Sequence, residues 1–227
     1  MDSDTLLVII VVALVLVLLV GIILVSVLQN KKRRQAFETL ALERGLTYTT
    51  DESSIEARLQ NRGSFDLFQH GHSHKFKNLL SGRRGNLDLS IFDYRYTTGS
   101  GKNSQTQQQT ALLLALPDEA LPQFFLRPEG LLDKIAAKMG QADINFEHRP
   151  EFSKKYRLTG ADESRVRAVF DDALLVFLEQ NPNLCVEASG SQLLTYTRRK
   201  LIKPEDLPER LDQAIKLVSL LSHRSSF

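Results

Sequence analysis

Three histidines stand at alternate positions in the run His70-Gly71-His72-Ser73-His74. On a strand, alternate side chains share a face, so this spacing would offer three imidazoles to Zn²⁺ with a fourth position left for water. Same-face neighbours on one strand lie about 6–7 Å apart, a stretch for three ligands on one ion. Gly71 and Ser73 are flexible spacers, and no carboxylate is fixed beside the run. A solvated loop or edge strand carrying three histidines is the simpler account. The alternative it leaves standing is a metal-dependent enzyme using His70, His72 and His74.

Other chemistry is weaker. Gly99-Ser-Gly-Lys102 resembles half of a phosphate loop, but Tyr96 stands where the leading glycine belongs, Asn103 follows the lysine, and the next segment reads as a strand rather than a helix. Asp93 and Arg95 sit two apart in an aromatic strand and so share a face, which favours a structural ion pair over a site. Tyr94 and Tyr96 share the other face and are the first candidates for a partner-binding surface. Cys185, the lone cysteine, lies among apolar neighbours and reads as core; one cysteine also excludes a disulfide scaffold. No nucleophile elbow, zinc-protease helix or Cys-x-x-Cys pair is present. Nothing calls for a cofactor.

The elements around these residues begin in oil. Between residues 6 and 28 only Ala13, Gly21 and Ser26 interrupt a run of Leu, Ile and Val, and no charge occurs from Thr5 to Asn30. As a helix these 23 residues span about 35 Å, enough to cross a hydrocarbon core of about 30 Å. The leader Met1-Asp2-Ser3-Asp4 and the length of the run argue for an anchor over a cleaved signal. Lys31, Lys32, Arg33 and Arg34 form a basic flank. The positive-inside rule then leaves residues 1–5 as an external stub and puts the rest in the cytoplasm of a cell with its inner membrane as host. Beyond the flank, acidic and basic residues balance, so the net charge of +2 does not mark a nucleic-acid binder. Arg83-Arg84 and Arg198-Arg199-Lys200 read as solvated turn and strand ends. A lipid-surface sensor would need a contiguous basic face, which the sequence does not display.

Residues 36–221 read as one α+β domain, with two subdomains meeting near 140–150 as an option, and 222–227 as a fraying tail. The anchor helix continues over 35–44 with Phe37, Leu40 and Leu42 along it and Gly45 as its stop. A short helix is predicted over 51–60, closed by 61–63. Residues 86–97 alternate as a strand, but after Ile91 the apolar phase moves to Phe92, Tyr94 and Tyr96, which demands a bulge or burial of both faces. Its antiparallel partner is 106–116, across a polar loop at 98–105. A short strand at 124–126, a helix at 131–139, a strand at 155–158, one helix from Asp162 to about Gln180, a hairpin of 184–188 with 192–198, and a last helix from Glu205 or Pro208 complete the chain.

Phe65-Asp-Leu-Phe68, Asn78-Leu-Leu-Ser-Gly82, Gly99–Lys102, Pro150-Glu-Phe152 and above all Phe92-Asp-Tyr-Arg-Tyr-Thr97 resemble an uncharacterised family of bacterial single-pass membrane-anchored proteins. The resemblance covers most of 35–220 and implies a bacterial inner-membrane location without implying any activity, ligand or catalytic residue. Taken together, these readings favour a membrane-anchored cytoplasmic interaction module, with the bilayer and an unknown protein as partners and no nucleic acid.

Overall fold

The computed structural model describes residues 2–60, 62, 65–116, 120–130 and 143–222. A single helix, α1 (Ser3–Arg44), carries the apolar run straight into the domain. It stops where Gly45 takes a left-handed backbone at φ 63° and returns its N–H to the Ala41 carbonyl, the closure that a glycine after the last turn permits. Every Leu, Ile and Val from Leu6 to Leu28 is 46–68 % exposed. Past residue 30 the helix gains a buried stripe of Arg33, Phe37, Leu40 and Ala41. Leu42, predicted to lie along that stripe, points away and is 86 % exposed, because a 3.6-residue period takes positions 37, 40 and 41 to one face and 42 off it.

Eight strands then make one antiparallel sheet in the order β1-β2-β3-β4-β8-β7-β5-β6. They are β1 (Thr47–Thr49), β2 (His72–Arg84), β3 (Leu87–Thr98), β4 (Gln105–Ala115), β5 (Leu121–Pro128), β6 (Tyr156–Gly160), β7 (Leu184–Gly190) and β8 (Gln192–Thr197). Between β1 and β2 lie α2 (Glu52–Leu59) and the single turn α3 (Asp66–Gln69). Later come α4 (Pro150–Lys155), α5 (Glu163–Val169), α6 (Asp172–Gln180) and α7 (Leu207–Ser222). The fold is α+β.

Both faces of the sheet are covered, and that resolves the phase change in β3. Leu87, Leu89 and Ile91 join the larger core under α1 and the later helices. Phe92, Tyr94 and Tyr96 join a second cluster on the opposite face, with Ile55 and Leu59 of α2 and Leu67 of α3 over it. β3 pairs with β4 without a break from Asp88 to Thr98. The bulges fall instead in β2, between His72 and Lys75 and between Lys77 and Leu80. Ser73 and Asn78 take the positive φ values of 56° and 51° at those two places.

Local signals otherwise hold with adjustments. Asp51 caps α2 by accepting the Ser54 N–H at 2.8 Å, as its side chain predicts. The helix expected from Asp162 to Gln180 is two. Phe170 leaves the helical conformation, and Asp171 accepts the Leu174 N–H at 2.9 Å to start α6 afresh. The expected strand at 155–158 begins one residue later, after α4. The helix predicted at 131–139, part of the closure at 61–63 and the tail at 223–227 lie outside the described residues.

Candidate functional site

The structure brings its most concentrated polar chemistry to Arg33. The Arg33 Nε donates to Asp93 Oδ2 at 2.6 Å and Nη2 to Asp93 Oδ1 at 2.5 Å, a two-pronged pair from α1 to β3. Nη2 also reaches Thr110 Oγ1 at 2.8 Å on β4, and Nη1 the Ile202 carbonyl at 2.5 Å. Thr110 Oγ1 donates to Asp93 Oδ1 and accepts the Ile202 N–H, each at 2.9 Å. Asn78 completes the ring, donating to Asp93 Oδ2 at 2.8 Å while its own oxygen accepts from Tyr48 at 2.9 Å. The bulge at Asn78 inserts the residue that makes this bond beside Asp93. The guanidinium lies 5.3 Å from the centre of the Phe37 ring one turn along α1. Arg33 and Asp93 are 8 % and 9 % exposed.

Every side-chain oxygen and nitrogen of Arg33, Asp93, Thr110, Asn78 and Tyr48 has a partner within this network. What it does is mechanical. A buried charge pair needs this density of bonds to offset its desolvation, and removing one member strands the other. The pair therefore fixes the rotation and height of α1 against the sheet.

A second buried carboxylate holds the other face. Glu187 of β7 accepts the N–H groups of Asp66 at 2.5 Å and Leu67 at 3.2 Å, which open α3, and the Tyr196 hydroxyl at 2.8 Å. Burial pushes its carboxyl up to about 7, against the opposing pull of those hydrogen bonds. The tie presses α3 onto an aromatic cluster in which Phe68 meets Phe65, Phe76 and Tyr94 edge-on, and Arg62 lies 4.7 Å from the centre of the Phe76 ring.

The residues singled out from sequence go to different places. His70 binds Asp66 at 2.7 Å, His72 meets Ser73 and the Gly99 carbonyl at 3.0 Å each, and His74 meets the Tyr94 hydroxyl at 2.5 Å. The bulge between His72 and Lys75 breaks the alternation that would have aligned them. Among the described residues no group of three His, Cys, Asp or Glu could hold a metal ion. The expectation that the three imidazoles converge is corrected: they are not brought to one ion. Tyr94 and Tyr96 are 1 % and 2 % exposed, so the proposed partner surface is instead the floor of the aromatic cluster under α3. Asp93 pairs with Arg33 rather than with Arg95. Of the four flank residues Lys31, Lys32 and Arg34 are exposed, whereas Arg33 turns inward. Cys185 is fully buried, and burial pushes its thiol up to about 12. Gly99–Lys102 joins two strands through a single 3-10 turn, not a strand to a helix.

Sequence reasoning missed the Arg33–Asp93 clamp. Its signal was the period of α1, where Arg33 precedes Phe37, Leu40 and Ala41 on one stripe; its partner lies far off in sequence and has no local mark. A cleft of about 360 Å³ between the end of α1, the β2–β3 turn and α7 holds Arg44, Arg83 and Arg84. Arg44 is already paired with Asp212 and Arg83 with Asp88.

These features define an α+β domain carried on one long N-terminal helix. No family model matches the sequence, and no curated protein matches it. Among solved structures, the crystal structure of the mycobacterial trehalose monomycolate transport factor A, TtfA, is similar in fold, with a TM-score of 0.59 over 84 % of this chain and 94 % of that one at 13 % identity. α1 is long and apolar enough to cross a membrane.

Proposed function

We propose that this protein is a single-pass membrane protein whose domain is an interaction module, accessory to transport at a bacterial envelope, rather than an enzyme. The observation that carries the reading is the continuity of α1: an apolar stretch exposed on all sides runs without a break into a helix locked to the sheet by Arg33 and Asp93. An apolar surface of that extent has no stable place in water, whereas a bilayer accepts it. A rigid joint suits a module that must present one surface to a membrane-embedded partner. The fold likeness to a trehalose monomycolate transport factor supports the transport assignment, and the Phe92–Thr97 signature supports membership of the uncharacterised bacterial membrane-anchored family. The positive-inside rule supports a cytoplasmic domain at the inner membrane.

The test is proximity labelling with a biotin ligase fused to the full chain, after an alkaline wash of the membranes. The expected result is a chain that stays with the membrane and labels a reproducible set of envelope transport proteins. Release of the chain by the wash overturns the anchor, and labelling no stronger than that of an unrelated anchored ligase overturns the module.

A further inference from the structure

The clamp at Arg33 does more than join helix to sheet, because the backbone it grips belongs to a basic loop. Arg33 donates to the Ile202 carbonyl, Thr110 accepts the Ile202 N–H, and the Thr110 N–H binds the Lys200 carbonyl at 3.2 Å. The Arg199 N–H is held by Gln109 at 3.0 Å. The loop 199–203 is thus fixed beside the first turn of α1 that enters the domain, and it exposes Arg199, Lys200 and Lys203. Lys31 and Lys32 are exposed one step away on the helix itself. Along α1 the chain meets Asp93 at Arg33 and the β2–β3 turn at Arg44, so α1 runs against β3. Exposed Glu205 and Asp206 follow the loop in the turn that starts α7, at the same end, and leave the cations there in excess.

Height decides what this end meets. Arg33 stands about 7 Å along the helix beyond Leu28, and the headgroup layer on each side of the hydrocarbon is about 5–8 Å thick. A loop bonded to Arg33 lies at headgroup level, within a Debye length of about 10 Å of lipid phosphates. Two basic clusters far apart in sequence, at 31–32 and 199–203, share that level.

We infer that this end of the domain, built from Lys31, Lys32, Arg199, Lys200 and Lys203, docks on anionic lipid headgroups. The inference rests on the membrane-spanning reading of α1 and deepens it. Cationic side chains at headgroup level draw anionic lipid and lose that attraction in salt.

The full chain is reconstituted in nanodiscs of phosphatidylcholine alone and of phosphatidylcholine with phosphatidylglycerol, and hydrogen exchange is followed at 199–203 and at 6–28. Exchange at 199–203 is expected to slow by about three-fold or more in the anionic discs. High salt, or the pair Lys200→Glu and Lys203→Glu, should abolish the difference. Equal exchange at 199–203 in both lipids, with 6–28 protected in both, overturns the docking and leaves the anchor intact. Rapid exchange at 6–28 in both overturns the anchor itself.

Discussion

Arg33 and Asp93 form a pair whose worth lies in what its loss would leave behind. Asp93→Asn or Arg33→Met strands one charge among bonds made for two and should lower stability by about 3–5 kcal/mol. Denaturant unfolding of the full chain in micelles, followed by circular dichroism, reads this directly. The double variant should cost less than the sum of the two singles, because the second change removes the charge that the first exposes. Glu187 makes a prediction in pH. Its folded carboxyl keeps a proton up to about 7 while its ordinary value is 4.5. The native chain therefore binds the extra proton between those values; this contribution is whole below 4.5 and is lost as pH rises through about 7. Stability should fall by roughly 2–3 kcal/mol between about pH 5 and pH 8, and Glu187→Gln should flatten the slope.

At the scale of elements, two glycines with similar backbones separate strain from crowding. Gly45 has φ 63° and nothing within 4 Å of an added Cβ, so Gly45→Ala meets only the left-handed strain of the α1 terminus, about 1 kcal/mol. Gly71 has φ 69°, and a Cβ there would lie 2.1 Å from the Thr97 carbonyl oxygen, where β2 begins its pairing with β3. Gly71→Ala should cost more than about 2 kcal/mol. Thermal melts of the two variants side by side check the ranking. The same start of β2 explains why this strand escaped the sequence reading: two bulges interrupt its alternation, so no run keeps a constant period. By contrast β3 and β4, paired without a break, were legible from their residues alone, and so were the short helix α2 and α7 with its apolar stripe. The break between α5 and α6 was not, because Val166, Phe170, Ala173 and Phe177 keep helical spacing across it while Asp171 restarts the backbone.

For the whole molecule, a stiff α1 makes orientation a single variable. A fluorescent protein fused after Phe227 should light up in the cytoplasm, and alkaline phosphatase at the same place should stay inactive; the reverse pattern would set the domain on the far side of the membrane. Because Arg33 anchors the helix into the sheet, no linker about which the domain could swivel separates it from the apolar stretch of α1.

Residue order alone determined the apolar helix and its glycine stop, the α+β class, and the main strand pair, since each is written in periods of two to four residues that neighbours along the chain share. Only the tertiary structure decided that Arg33 leaves the basic flank for Asp93, that Tyr94 and Tyr96 lie under α3, and that the loop at 199–203 joins Lys31 and Lys32 at one end. Those outcomes depend on sheet order and on which face each helix covers. Contacts between distant segments of that kind leave no local period to read.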